Sequence, residues 1–437
     1  MNRRPLLTGV EATILVVVAL ALVAAALLGP GDDSAGGASG KPTKPDAGKQ
    51  ARIDVEPIIH RVERLRGLRF RKPLKVEFLS PAQAQAVFLR RSKQEYSDTQ
   101  QRIDEEVLKL LGLLAPSVDL TKTLAAVADE QVLGFYDDRT KRLVVIRKPA
   151  DSRGLLEITL SHELVHALED QHFDFNAEGG FTDDESTAET ALIEGTATAL
   201  MTDYAGRYLK PADLVDVLGS VSGTETKLPK FIERSLLFPY IEGEKFVTTF
   251  REGGSWKAID KVYELRHPSS TEQIMHPEKY AIDERPVRVR VGDVTRRLGK
   301  DWVRLDSSGV GEYDLRLLFR QVGEVNPTTA AAGWGGGRLE LWRLKTSGKP
   351  KCPAPCIARD VAVMRLAWDT RADRLEGERA LQQVFERGLR GKPVSAEGGV
   401  GLWSSRGGAI GMLSSDRTST VVFAPTAQLA ARALAAR

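Results

Sequence analysis

The sequence predicts an α+β fold in three parts: an N-terminal transmembrane helix, a mixed α/β region built around a long helix, and a C-terminal α+β domain. The length supports several units, because 437 residues correspond to about three domains of roughly 150 residues each. The composition, 42% hydrophobic and 28% charged, allows these units to bury cores and excludes general disorder. Apolar residues recur at helical spacing in the middle of the chain and in short strand-like runs after Pro286.

The N-terminal residues predict a membrane anchor. An uncharged apolar run occupies residues 12–29, close to the lower limit of length for crossing a bilayer. It follows residues 1–11, which carry Arg3 and Arg4, and it precedes a flexible linker at 30–51. The positive-inside rule makes residues 1–11 the cytoplasmic N-terminus. We expect a single-pass protein of the cell membrane whose bulk is extracytoplasmic, or a secreted protein if the first helix is cleaved as a signal peptide.

Charge and cysteine content exclude several classes of protein. Lys and Arg total 62 against 59 Asp and Glu, so there is no electrostatic reason to expect a nucleic-acid partner. Two cysteines are too few for a disulfide scaffold or an iron–sulfur cluster. Outside the cytoplasm, Cys352 and Cys356 can close a small disulfide loop.

The first half of the mixed α/β region, which spans residues 52–285, predicts a small sheet. Residues 72–80 (KPLKVEFLS) have the composition of a strand. Residues 134–146 contain two apolar runs separated by Asp-Asp-Arg-Thr, a sequence typical of a hairpin turn.

The second half of this region predicts long helices. Residues 155–171 have apolar positions at helical spacing, with Ser152 as the expected N-cap. A second helix is predicted at 184–209, where Gly195 allows the close approach of a neighbour, and further helix is predicted through 211–265.

The pattern changes again at Pro286. Short runs typical of strands follow, namely PVRVRV, GRLELWRL, VAVMRLAW and TVVFAP, with one helix near 376–390. Residues 286–437 therefore predict a separate α+β domain, to which the sequence assigns no role.

A metal-binding motif lies in the first long helix. His162 and His166, in HELVH, are one turn apart and differ by about 40° around the helix axis, so both imidazoles can reach one zinc ion. Glu163 is about 100° away from His162 around the axis, where it can take a proton from a zinc-bound water. The chain has only six histidines, so this spacing is a specific signal.

A catalytic zinc needs a third protein ligand and an open position for water. Glu194 is the preferred candidate, because ALIEGTATAL surrounds it with small and apolar residues, where a bare carboxylate is costly to bury. Glu189, in a more polar stretch of the same helix, is the alternative ligand. We expect one Zn²⁺ per chain.

These residues resemble the gluzincin class of zinc metallopeptidases, of which thermolysin is a member. Its motif helix reads H-E-L-x-H-A-x-x-D, and residues 162–170 here read HELVHALED. With ALIEGTAT and PSSTEQIMHPEKY, the pattern is similar to a group of membrane-anchored bacterial proteins thought to be metallopeptidases. The resemblance covers about 134–285, with one departure: Thr198 replaces the aspartate that supports the first histidine in thermolysin-like enzymes.

The resemblance implies a zincin-like catalytic domain at 52–285. It also implies that the hairpin forms the edge of the active-site sheet, where residues 143–146 would pair with an extended peptide substrate. Peptide hydrolysis needs a donor to the developing oxyanion, and HPSSTEQIMHPEKY supplies His276, Tyr280 and, less favourably, His267.

The predicted function is zinc-dependent cleavage of a peptide or protein substrate outside the cytoplasm, with Glu163 as general base. Two alternatives remain at this stage. One is a binding or assembly protein of the cell envelope, with an inactive or structural zinc site on the same scaffold. The other is a zinc amidase that acts on cell-wall peptides.

Overall fold

The computed structural model describes residues 53–87, 96–131, 133–148, 151–175, 182–221, 228–345, 356, 358–394, 400–405 and 407–435. The predicted α+β class is confirmed: helices and two separate sheets share the chain. The transmembrane helix in that prediction is unsupported, because no helix of the described residues is long and apolar enough to cross a membrane. The predicted N-terminus, anchor and linker at 1–11, 12–29 and 30–51 lie outside the described residues.

Helices make up most of the first two thirds of the chain. The principal helices there are α1 (Glu56–Arg66), α2 (Asp98–Leu110), α3 (Leu120–Gln131), α4 (Arg153–Phe173), α5 (Asp183–Tyr208), α6 (Pro211–Val221), α7 (Lys230–Phe250), α8 (Lys257–Leu265), α9 (Thr271–Met275) and α10 (Pro277–Ala281). The helices after them are α11 (Thr295–Leu298), α12 (Glu312–Phe319), α13 (Pro327–Ala331), α14 (Arg371–Gln383) and α15 (Ala427–Leu434).

A three-stranded sheet lies beside α4. Its strands are β1 (Lys75–Leu79), β2 (Gly134–Asp137) and β3 (Arg142–Ile146), in the order β1-β3-β2. The predicted hairpin is present, and β1 pairs with β3 in parallel. The assignment of residues 143–146 to the sheet edge was wrong, because this strand lies between the other two. On the hairpin side, the edge strand is β2.

The second sheet has seven antiparallel strands and belongs to the C-terminal part of the chain. Its strands are β4 (Trp302–Gly309), β5 (Trp334–Leu344), β6 (Asp360–Trp368), β7 (Lys392–Val394), β8 (Val400–Ser405), β9 (Gly408–Ser415) and β10 (Thr418–Ala424). Their order is β4-β5-β6-β10-β9-β8-β7. Three of the predicted strand runs lie in β5, β6 and β10. The fourth, PVRVRV at 286–291, is not part of either sheet.

Each sheet has its own hydrophobic cores, and α2 joins them. Leu108 packs in the core of the N-terminal region, whereas Val107 and Leu111 pack with the residues of the seven-stranded sheet. Glu106 on the same helix binds Arg343 of β5 at 2.8 Å and accepts the backbone N–H of Cys356, which is disulfide-bonded. Cys352, the other cysteine of the sequence, lies outside the described residues.

The tightest helix contact joins α5 to α7 through two glycines. A Cβ atom built on Gly195 would overlap the backbone of Gly243, and one on Gly243 would overlap the carbonyl of Ala191. The expectation that Gly195 allows a close approach is therefore confirmed. Since Gly195 follows Glu194, this contact fixes the position of Glu194 along the axis of α5 and its direction around that axis.

Candidate metal centre

The two long helices α4 and α5 form the centre. Helix α4 begins after Ser152, whose hydroxyl accepts a hydrogen bond from the backbone N–H of Leu155 at 3.1 Å, so the predicted cap is present. Helix α5 begins after Thr182, which forms a capping box with Glu185. Residues 154–170 of α4 are all buried, which agrees with a helix that crosses the core rather than one that covers it.

The structure brings together the three predicted ligands. The Nε2 atom of His162 lies 3.1 Å from Nε2 of His166 and 3.1 Å from Oε2 of Glu194, while Nε2 of His166 lies 3.5 Å from the same oxygen. Tetrahedral zinc with bonds of about 2.0–2.1 Å requires ligand atoms about 3.3 Å apart. The three donor atoms therefore have the spacing of one face of a zinc tetrahedron.

The electrostatics of this triangle favour a cation. Burial lowers the pKa of His162. Burial also opposes the charging of His166, but the Glu194 carboxylate outweighs it and raises the pKa of His166 to about 9. Burial raises the pKa of Glu194, yet the charge of His166 dominates and lowers it to about 2. The carboxylate is thus held as an anion in the interior, where a metal ion can take the place of the imidazole proton.

An unsatisfied carboxylate oxygen supports the fit of a metal. Within the described residues, Oε1 of Glu194 is buried without a hydrogen-bond partner. Such an atom is costly to bury, and an ion held between Glu194 and the two Nε2 atoms would contribute the missing interaction. Two imidazoles with one carboxylate are also the donor set of catalytic zinc sites that keep one position open. The residues present therefore fit a zinc ion.

Glu163 lies between the metal ligands and the sheet. Its side chain is fully buried. A Cβ atom on Gly134, the first residue of β2, would lie 3.4 Å from Cγ of Glu163 and 3.3 Å from Cγ2 of Thr159. The edge strand β2 therefore begins directly beside the predicted general base.

Helix α7 contributes an aromatic residue that the sequence did not single out. The ring of Tyr240 stacks on His162, with centroids 6.1 Å apart and planes inclined by 27°. Tyr240 lies one turn before Gly243, so the glycine contact that sets Glu194 also brings this ring to the centre. In the sequence, Tyr240 is marked only by a glycine three residues later on the same helix. A tyrosine and a glycine at this spacing do not by themselves predict a functional site.

A buried ion network supports α4 one turn beyond His166. Arg66 at the end of α1 donates to Glu169 at 2.6 Å and pairs with Asp260 at 2.7 Å. The hydroxyl of Tyr263 donates to Glu169 at 2.9 Å and lies 3.3 Å from the hydroxyl of Thr196 on α5. Burial raises the pKa of Glu169, and the charge of Arg66 opposes this rise. The network holds α1, α4, α5 and α8 together beneath the metal ligands.

Asp170 on α4 and Asp203 on α5, which could have accepted hydrogen bonds from the histidines, bind other residues. Asp170 accepts hydrogen bonds from Tyr136 and Lys141, each at 2.6 Å. Asp203 pairs with Arg251 at 2.6 Å. Neither carboxylate therefore replaces the aspartate that thermolysin-like enzymes have where this chain has Thr198.

The predicted oxyanion donors His276 and Tyr280 are not brought to the centre. The Tyr280 hydroxyl donates to the carbonyl of Arg266 at 2.7 Å, and Nε2 of His276 lies 3.1 Å from Glu312 on α12. Tyr280 therefore bonds within its own region and His276 binds α12, and neither residue is among the three clustered donors.

The other two candidates bind each other. Nδ1 of His267 lies 3.2 Å from Oε1 of Glu189. Glu189 thus has His267 as its partner, and it is not among the three clustered donors. Of the two glutamates considered as the third ligand, the structure places Glu194 beside the histidines.

Comparisons with known proteins identify one part of the chain only. Residues 297–433 match the family described as "Domain of unknown function (DUF8575)". No curated protein matches the chain. The structure is similar to the crystal structure of "a putative hydrolase with a novel fold" from Chloroflexus aurantiacus, with 17% sequence identity and a TM-score of 0.36. That likeness covers 64% of this chain and 98% of the other, and at such a TM-score it carries no argument.

Proposed function

We propose that the protein is a zinc metalloendopeptidase of the gluzincin type. The observation that carries the proposal is the triangle of His162, His166 and Glu194, whose donor atoms lie 3.1–3.5 Å apart with Glu163 on the same helix. A structural zinc site needs four protein ligands, whereas three ligands beside a buried carboxylate are the donor arrangement of hydrolytic zinc. This difference favours an enzyme over an envelope protein with a structural metal.

The residues of the chain would divide the chemistry as follows. Bound zinc supplies a Lewis acid that lowers the pKa of water and polarises a carbonyl group. His162, His166 and Glu194 hold the ion, and their burial keeps competing water away. Glu163 accepts a proton from the attacking water and then donates it to the departing amine.

The edge strand β2 supports a peptide as the substrate. An extended peptide can pair with an edge strand through its backbone, which suits broad sequence tolerance. Because Gly134 of β2 lies against Glu163, such a peptide would pass close to the general base. The role predicted for residues 143–146 thus passes to residues 134–137.

A location outside the cytoplasm is part of this proposal. Cys356 is disulfide-bonded, and structural disulfides persist in oxidising compartments. The buried end of this disulfide packs against Glu106 of α2, so the bond belongs to the folded core.

Metal analysis tests the ligand set. We expect the purified full chain to contain about one zinc per molecule and Glu194→Gln to weaken zinc binding by about 100-fold or more, because an amide is a much poorer ligand than a carboxylate. The matched control is Glu189→Gln, one turn earlier on α5, which should keep its zinc. Zinc loss in the control alone, or a wild type without zinc, would contradict the proposal.

A further inference from the structure

Residues 286–291 (PVRVRV), which we call the arginine strap, connect the metal-binding region to the seven-stranded sheet. The strap is neither helical nor part of a turn, and it lies outside both sheets. The backbone N–H of Val287 donates to the carbonyl of Gly335 at 2.7 Å, and within the described residues this is the only backbone hydrogen bond of the strap. The carbonyl of Arg290 also accepts from the guanidinium of Arg365 at 3.3 Å. Within the described residues, the other backbone groups of the strap make no backbone hydrogen bond and are available to another chain.

The strap presents two arginines on one side. Arg288 and Arg290 are exposed, and neither forms an ion pair with another described residue. In an extended chain, residues two apart point the same way and lie about 6.6 Å from each other. Val289 and Val291 alternate with them and are half-buried and buried, respectively, whereas Val287 is exposed. The strap therefore combines a row of positive charge with an unpaired strand-like backbone.

A groove of about 780 Å³ runs beside the strap, and its other walls are also basic. Arg285, Arg304 and Arg338 line it together with the two strap arginines. Of these three, Arg338 donates only to the oxygens of Ser307, at 2.9 Å from Nε to the hydroxyl. The side chains of Arg285 and Arg304 are 61% and 52% exposed even though each has a carboxylate partner.

The carboxylates of the groove do not neutralise this charge. Asp184 is buried and accepts from Thr271 at 2.6 Å, Glu185 caps helix α5, and Glu340 pairs with Arg304 at 3.0 Å. In the floor of the groove, Trp334 is 2% exposed, and its indole N–H has no acceptor within the described residues. The groove thus offers donors and positive charge in excess of its acceptors.

We propose that the arginine strap binds an extended peptide segment of another protein that carries acidic side chains at every second position. Such a segment would pair with the strap backbone as an added strand. Its alternate carboxylates would then meet Arg288 and Arg290, because the residue spacing is the same in both strands. Guanidinium groups suit this role, since their planar forks bind carboxylates through two hydrogen bonds. A phosphate polymer matches the charge, but it lacks the amide groups that pair with the strap backbone.

The proposal does not depend on the metal centre, so the two can fail separately. The test is fluorescence anisotropy of labelled peptides with the full chain carrying Glu163→Gln, which prevents consumption of the peptide. The probes are an alternating Glu-Val octapeptide, a Lys-Val octapeptide, a Glu-Val octapeptide with every backbone amide N-methylated, and polyphosphate. N-methylation keeps the charge pattern of the Glu-Val probe but removes the backbone N–H donors on both edges of the strand.

We expect the Glu-Val peptide to bind most tightly and its affinity to fall as salt is added. Arg288→Glu with Arg290→Glu should weaken it about tenfold or more and should create affinity for the Lys-Val peptide. The matched control is Arg296→Glu, an exposed arginine that does not line the groove and that should leave binding unchanged. An unchanged circular dichroism spectrum and an unchanged urea unfolding midpoint show that the charge-reversed variant is folded.

Three results would overturn the proposal. Equal binding of the Glu-Val peptide by the charge-reversed variant would exclude the strap. Equal binding of the N-methylated peptide would exclude backbone pairing, and tighter binding of polyphosphate would assign the groove to a phosphate polymer instead.

Discussion

Replacing Glu163 with glutamine is expected to lower kcat for peptide hydrolysis by about 10²–10⁴-fold while zinc stays bound, since positioned acid–base groups contribute this much to rate. Glutamine has the shape of glutamate but cannot take a proton from water. The three atoms that would hold the ion come from other residues, so the metal site should keep its structure. Casein cleavage under saturating substrate measures kcat, and metal analysis of the same sample measures zinc.

The matched control is Glu264→Gln, an exposed glutamate on α8, which should cleave at the wild-type rate. Zinc loss together with activity would mean that Glu163 is a ligand rather than a base. Cleavage at the wild-type rate by the Glu163 variant would remove it from the mechanism. If the wild type binds zinc but cleaves neither casein nor muropeptides, the envelope-binding alternative is favoured.

Replacing Arg66 with methionine is expected to lower the free energy of unfolding by about 3–5 kcal/mol, the usual cost of removing one partner of a buried ion pair. Arg66 and Glu169 both have fully buried side chains. Methionine fills much of the same volume as arginine. The fall in the free energy of unfolding should therefore come from the unpaired charge of Glu169 rather than from a cavity. Urea unfolding followed by circular dichroism measures the change.

Two further variants make this result specific. Arg64→Met changes an exposed arginine of the same helix and should cost little. Arg66→Met with Glu169→Gln removes both charges, so we expect it to recover part of the stability. The idea fails if Arg66→Met is no more harmful than the Arg64 control.

The pH dependence of the Arg66 variant follows from the same charge. Burial already raises the pKa of Glu169, and the loss of Arg66 should raise it further. A carboxyl group whose pKa is higher in the folded state binds more protons when folded, so its contribution to stability falls as pH rises. The deficit of Arg66→Met should therefore be smaller at about pH 5 than at about pH 8, and a deficit that grows on acidification would contradict this explanation.

The three candidate metal ligands could be predicted from the sequence because the patterns that indicate them are local. His162 and His166 share one helix, and the residues that neighbour Glu194 in the sequence are small and apolar. The helix bounds and the Ser152 cap were predictable for the same reason. Helical geometry needs only neighbouring residues, so the sequence alone is enough to place two imidazoles on one face.

The errors concern contacts between distant segments. The edge position predicted for residues 143–146 is wrong because β1 pairs with this strand in parallel. That pairing joins residues far apart in the chain, so local sequence patterns do not reveal it. His276 and Tyr280 are polar residues in a polar segment, and only the folded chain shows that His276 pairs with Glu312 and that Tyr280 donates to the carbonyl of Arg266. The alternating PVRVRV pattern predicts a strand, yet a strand also needs a ladder of backbone hydrogen bonds, and within the described residues the strap makes only the bond from Val287 to Gly335.

The glycine pair at 195 and 243 offers a way to recognise relatives of this protein. Any other amino acid at either position adds at least one carbon, and that carbon would meet backbone that no side-chain rotation can clear. A lineage can therefore vary the surrounding residues but must retain both glycines or reshape two helices at once. Diverged descendants should show Glu-Gly on one helix together with a lone glycine on another, even after overall sequence similarity has faded.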